Sequence, residues 1–223
     1  MIKGLIFDFD GLILDTETPS FQAWQEVFER RGCELTLETW ADCIGRSQDA
    51  FDPCEYLEAC LGHPIDRDRV RFEEQQRETQ LIMNQPVLPG VREIIVSAKG
   101  LGLKLGVASS SERDWVIGHL TRLGLAEQFD GVCCAGEVPH AKPAPDLYLA
   151  VLEALHLGPD QAIAFEDSPN GVLAAKRAGV FCVAVPNRLT QQLSFDHAAD
   201  LTVTSLKQVT LAKLLETAGE KGT

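Results

Sequence analysis

The chain reads as an α/β protein: a parallel sheet flanked by helices, with an all-helical segment inserted near its start. Three observations predict this. Short apolar runs recur at 4–7, 103–108, 162–165, 180–185 and, weakly, 201–203, each ending in polar or small residues. They lack internal polar alternation, as strands buried on both faces do, and such strands belong to parallel sheets covered by helices. Helical stretches at 111–123, 143–155 and 169–178 lie between the runs, with glycines at 124, 158 and 179 as stops. Residues 16–86 break this rhythm, with three consecutive helical patterns at 20–31, 48–60 and 66–83 and no convincing strand.

The domain reading follows. Residues 1–15 and 87–223 form an α/β core, and residues 16–86 form a helical domain inserted directly after the first strand. The return segment from Asn84 to Gly90, with Pro86 and Pro89, is turn-rich and a hinge candidate. In parallel sheets ligands gather at the carboxyl ends of the strands, so residues following the apolar runs are the ones to inspect.

Bulk properties narrow the function. At 223 residues with 45% hydrophobic side chains, the chain can bury a core domain and a smaller insert. A net charge of −13 offers no basic stripe for nucleic acid or an anionic membrane surface. No apolar run approaches the roughly 18 residues of a membrane span, and the opening apolar stretch is too short for a signal peptide. Seven cysteines, an odd number with no Cys-x-x-Cys pair, argue against a disulfide framework or a zinc site and for free thiols in a reducing cytoplasm. A monomer or weak dimer is expected.

The first run ends in Phe7-Asp8-Phe9-Asp10-Gly11, followed by Asp15. Two carboxylates two residues apart at a strand end point the same way. At about 4 Å two like charges cost about 4 kcal/mol at an effective dielectric of about 20, so the pair needs compensation. A divalent cation, a proton shared during chemistry, or plain solvation in an acidic turn would each provide it.

Ser109-Ser110-Ser111 follow the second run, at a strand-to-helix turn where hydroxyls and free backbone amides face the loop and suit an anion. Ser111 equally suits a helix cap; Ser109, nearer the strand end, is the better functional candidate. Lys142-Pro143 sits where a helix should start, with proline at its first position. A cation there is unfavourable unless anionic groups are close.

Glu166-Asp167 close the run at 162–165, ahead of Ser168 and Pro169, which suit an N-cap and first helical residue. Up to four carboxylates, Asp8, Asp10, Glu166 and Asp167, then converge at neighbouring strand ends, which demands a hard divalent cation such as magnesium.

With these four segments in order, the chain resembles the haloacid dehalogenase superfamily, in its phosphatase and β-phosphoglucomutase-like branch with a helical cap. The likeness covers essentially the whole chain and implies a Rossmann-like core under that cap. Asp8-Phe9-Asp10-Gly11 with Asp15 resembles the first motif, Ser109 the second, Lys142-Pro143 the third and Glu166-Asp167 the fourth.

The resemblance implies that Asp8 attacks phosphorus and that Asp10 serves as acid and then base. It implies magnesium held by Asp8, the Asp10 carbonyl and Asp167, with Glu166 acting through water. Ser109, Lys142 and the backbone around Gly11 and Ser110 would hold the phosphoryl oxygens, and Asp15 would brace the loop.

Within the superfamily, aspartate at both positions 8 and 10 disfavours dehalogenation, which needs no acid for an alkoxide. Residues 16–86 contain no lysine for the Schiff base of a phosphonate-cleaving enzyme. Mutase and phosphatase are closer. Where β-phosphoglucomutase carries a cap histidine this chain has Ser20, and its cap arginine seat is displaced, with Arg46 directly after Gly45. Both features help retain a phosphoenzyme, so hydrolysis of a small phosphorylated metabolite is the expected reaction. Substrate choice would lie with Glu17, Trp24, Gly45 and Arg46, although Trp24, at helical spacing with Phe21 and Phe28, also suits the cap interior.

Overall fold

Gly4, Leu5, Ile6 and Phe7 form β1 (Gly4–Phe7), which has a parallel neighbour on each side and is buried at every position. The structure, a computed structural model, describes residues 1–41, 52–192, 195 and 199–221. The chain divides into two compact units, a larger one of residues 1–14, 86–187 and 194–223 and a smaller one of residues 15–85 and 188–193.

In the larger unit, β1 lies at the centre of a six-stranded sheet in the order β3-β2-β1-β4-β5-β6, all parallel. Its other strands are β2 (Lys104–Glu112), β3 (Gly131–Ala135), β4 (Ala162–Glu166), β5 (Phe181–Ala184) and β6 (Leu201–Thr202). Its helices are α5 (Val91–Gly100), α6 (Arg113–Arg122), α7 (Asp146–Leu155), α8 (Pro169–Arg177) and α9 (Leu211–Lys221), four others preceding them in the smaller unit. One part of the core joins Ile6 and Ala164 of the sheet to Leu147, Val151 and Leu155 of α7 and to Val172 and Ala175 of α8. Burial of these apolar faces is the main force holding helices to sheet.

Five strands fall on the five apolar runs; β3 was not anticipated. Its sequence, Gly-Val-Cys-Cys-Ala, is short and opens on glycine, which weakens the strand signal. Helix boundaries also moved. Strand β2 continues through Ser109, Ser110 and Ser111 to Glu112, so α6 starts at Arg113. Helix α7 begins at Asp146, three residues after the expected proline start. Glycines 124 and 179 do follow α6 and α8 in the left-handed conformation, but α7 ends on left-handed His156, and Gly158 has ordinary negative φ.

The smaller unit contains α1 (Glu17–Glu29), α2 (Leu37–Ala41), α3 (Pro53–Leu61) and α4 (Arg67–Met83). Its helix starts are written in side chains. Asp15 accepts from Thr18 N, Asp52 from Cys54 N ahead of Pro53, and Asp66 from Arg69 N. Helix α2 was not anticipated, and α1 starts three residues earlier than its apolar spacing indicates. Trp24, Val27 and Phe28 pack with Leu35, Trp40, Leu57 and Val70, and Leu189 joins this cluster. No helix among the described residues is long and apolar enough to cross a membrane.

Candidate active site

The register of the sheet builds the site. Phe7 of β1 lies level with Val107 of β2 and Phe165 of β4. The next residues are therefore level too: Asp8, Ala108 and Glu166, with Ser109 one step further. A one-residue slip in either pairing would turn these side chains to opposite faces. Asp8 N continues the ladder by donating to Phe165 O at 3.0 Å.

Lys142 bridges the two acids, with Nζ 2.7 Å from Asp8 Oδ1 and 2.7 Å from Glu166 Oε1. The lysine side chain is 6% exposed and Glu166 is fully buried. Lys142 thus sits beside two acidic groups, ahead of α7 rather than at its start. Tyr148, on α7, donates its hydroxyl to Glu166 Oε1 at 2.5 Å, and its ring lies 5.5 Å from Nζ. Glu166 Oε2 has no hydrogen-bond partner among the described residues. Gly171 makes room for it: a Cβ at that position would sit 1.8 Å from Oε2.

Ligand atoms of Asp8, Glu166 and Asp167 lie within 4.8 Å of one another. Asp167 is oriented by Asn187, whose Nδ2 donates to Oδ2 at 2.7 Å. Gly11, with φ of 74°, passes so close that a Cβ would meet Asp167 Oδ2 at 2.1 Å.

Asp10 departs from the expected convergence of four carboxylates. Its side chain forms a separate cluster, accepting from Ser111 Oγ at 2.7 Å, Trp115 Nε1 at 3.0 Å and Ser109 Oγ at 3.4 Å. Ser109 and Ser111, two residues apart on β2, lie on one face of the strand and both reach Asp10, where the register between β2 and β3 shifts between Ala108 and Glu112. Ser111 is therefore not the cap of α6, a place taken by Glu112 without a side-chain bond. Ser109 Oγ also accepts from Ser111 N at 3.0 Å. Ser110 is exposed at the same strand end. Ser168 and Pro169 do start α8 as expected, with Ser168 Oγ accepting from Gly171 N.

Electrostatics follow burial. Desolvation, reinforced by the charge of Glu166, pushes Asp8 up to about 7 against the opposing pull of Lys142. For Lys142, burial works against the ammonium, but Asp8 and Glu166 overcome it and hold the lysine charged well above its ordinary range. Burial and the same two acids hold Tyr148 protonated, so it stays a donor.

If all are ionised, three carboxylates face one ammonium, leaving two negative charges for a ligand to balance. That charge, the oxygen donor set and the orphaned Glu166 Oε2 fit a hard divalent cation such as magnesium.

Four residues of this site were not singled out from sequence for these contacts: Ser111, Trp115, Tyr148 and Asn187. Apart from Ser111, within the serine run, none stands in a motif, and only the folded register brings them in. Of the candidates for substrate choice, Trp24 lies in the apolar cluster of the smaller unit and Glu17 opens α1. Gly45 and Arg46 lie outside the described residues.

The comparisons with known proteins agree with this geometry. The haloacid dehalogenase-like hydrolase family matches residues 5–185. The Bacillus subtilis protein YhcW is 44% identical over 216 residues, 97% of each chain. A phosphorylated carbohydrates phosphatase of Thermotoga maritima is 34% identical over 181 residues, covering 80% of this chain and 82% of its own. Among solved structures, β-phosphoglucomutase of Clostridium difficile superposes with a TM-score of 0.71 at 27% identity, over 99% of each chain. With the acids, lysine and serines assembled at the strand ends of a parallel sheet, the chain belongs to the haloacid dehalogenase-like hydrolases.

Proposed function

We propose that this protein is a magnesium-dependent phosphatase that hydrolyses a small phosphorylated metabolite through a phosphorylated Asp8. The observation that carries the reading is the buried Asp8–Lys142–Glu166 arrangement at the ends of adjacent strands. Asp8 Oδ1 is taken by Lys142 and by the Phe9 N–H at 2.7 Å, which leaves Oδ2 as the attacking oxygen.

Attack forms the Asp8 O–P bond as the bond from phosphorus to the leaving oxygen breaks. Asp10 gives its proton to that oxygen, and the resulting carboxylate is stabilised by Trp115 Nε1–H and Ser111 Oγ–H. The same carboxylate then takes a proton from the water that splits the acyl phosphate and frees Asp8. Lys142, Ser109 and the backbone at Gly11 and Ser110 would hold the phosphoryl oxygens. Asp8, Asp167 and the Asp10 carbonyl would hold magnesium, with Glu166 acting through water; when bound, the ion neutralises charge on the transferring group.

We place the reaction in the cytoplasm, in a monomer or weak dimer, with residues 1–15 and 87–223 as the α/β core domain and residues 16–86 as a helical cap domain. The named activity of the Thermotoga maritima relative supports a sugar phosphate as substrate. The likeness to β-phosphoglucomutase supports a second reading, a sugar phosphomutase. Ser20, where that enzyme carries a cap histidine, weighs against it.

Asp8→Asn and Asp10→Asn should each suppress hydrolysis of an aryl phosphate by orders of magnitude while leaving the circular dichroism spectrum unchanged. Full activity in either folded variant refutes the proposal. Incubating a sugar 1-phosphate with a trace of bisphosphate separates the two readings. Free phosphate alone supports the phosphatase, and the 6-phosphate supports the mutase.

A further inference from the structure

The smaller unit carries two cysteines that the phosphatase chemistry does not use. Cys33 follows the turn after α1; its N–H donates to Phe28 O at 3.0 Å, which sets its side chain against the Trp24 and Phe28 cluster. On α3, Tyr56 stacks on the ring of the same Phe28, with centroids 5.7 Å apart and planes at 29°. Cys60 lies four residues on, along the same helix face. Phe28 thus holds both segments, one by its carbonyl and one by its ring. The Cys33 thiol points to Arg31 O, 4.0 Å away, and burial first, with the neighbouring Cys60 second, raises it above the ordinary thiol range. Cys60 is exposed and Cys33 half-buried, whereas the other described cysteines, Cys54, Cys133, Cys134 and Cys182, are buried.

We propose that Cys33 and Cys60 are a reversible redox pair, closing to a disulfide when the protein meets a peroxide and reopening with a dithiol. The exposed Cys60 thiolate attacks one oxygen of hydrogen peroxide; the O–O bond breaks, hydroxide leaves and a sulfenic acid forms. The Cys33 thiolate then attacks the Cys60 sulfur, the S–O bond breaks, and the oxygen leaves as water after taking a proton. In sum, two thiols and one peroxide give one disulfide and two waters. Exchange with a small dithiol restores both thiols. The ring so closed contains residues 34–59 and therefore Gly45 and Arg46, so oxidation would tether both ends of the segment from which substrate contacts are expected.

The test is peptide mapping of the full chain after hydrogen peroxide treatment, without and with dithiothreitol. The expected product is a single Cys33–Cys60 cross-linked peptide within one chain, two hydrogens lighter than the reduced pair and lost on reduction. In Cys33→Ser the product should instead be a Cys60 sulfenic acid trapped by dimedone. Cys43→Ser should leave the cross-link unchanged. A persistent Cys60 sulfenic acid in the wild-type chain, or Cys60 joined to Cys43 or to a second chain, overturns the proposal.

Discussion

Two clusters of ion pairs show how burial changes the meaning of the same charges. In the larger unit, Lys142 links Asp8 and Glu166 with almost no contact to solvent. In the smaller unit, Arg67 joins Asp52 and Glu58, and Arg71 joins Asp52, with Arg67 44% exposed. Water screens the second set, so either partner can be replaced by solvent. The first set has no such substitute: burial and the charge of Glu166 hold the Asp8 carboxyl up at about 7, and Lys142 stays charged. Desolvation thus converts a common arrangement into one that can do chemistry.

The sharpest way to break that comparison is Lys142→Met. It leaves two carboxylates buried against each other, so stability should fall by about 3–5 kcal/mol. Phosphate release should drop about a thousandfold through loss of a fixed cation at the transferring group. Urea titration and aryl phosphate turnover read the two effects separately; a stable, active variant would mean that the buried ammonium matters no more than the exposed guanidinium.

Next is Gly171→Ala, which places a methyl group where Glu166 Oε2 now sits. The displaced carboxylate should weaken magnesium activation by about 10–100-fold, the range expected when an outer partner of a metal site is disturbed. A magnesium titration of turnover is the measurement, and an unshifted midpoint would remove Glu166 from any part in metal binding.

Glu74, buried in α4 of the smaller unit, gives a milder effect. Desolvation, aided by the charge of Glu78 and opposed by Arg71, raises it to about 7 from its ordinary 4.5. The folded state therefore binds more protons than the unfolded chain between about pH 4.5 and pH 7. Stability falls as pH rises through that window, and the loss is complete above it. Glu74→Gln should gain about 2 kcal/mol at pH 8 and nothing at pH 4, measured by urea unfolding at both values.

Arg67→Ala closes the series. Its pairs are exposed, and the urea midpoint should stay within measurement error at physiological salt. A shift as large as that of Lys142→Met would show that exposure does not separate the two clusters.

Much of this arrangement is legible in the chain itself, for identifiable reasons. Asp8 and Glu166 each follow a fully apolar run, and the parallel register of β1 and β4 levels the ends of those runs. Ser168 and Pro169 announce α8 by capping chemistry alone. Strand β3 escapes because Val132 is the one strong strand former between Gly131 and Ala135, and pairing with β2 sets the conformation of the rest. Spacing alone groups Asp10 with the other acids, because spacing along a strand speaks of direction. It does not speak of partners, and Ser111 near the end of β2 and Trp115 in the first turn of α6 meet Asp10 only once the chain is folded. Tyr148 and Asn187 are equally silent in sequence, single residues whose meaning comes from what lies opposite them.

The central claim is that Asp8 becomes phosphorylated during turnover, and acid quenching of the working enzyme tests it most directly. Magnesium, a phosphorylated sugar and the wild-type chain, quenched within the first turnovers and digested, should give one hydroxylamine-sensitive phosphoryl group on the peptide containing Asp8. Asp8→Asn should give none. Steady phosphate release with no label on that peptide, or with the label on another residue, would contradict the account.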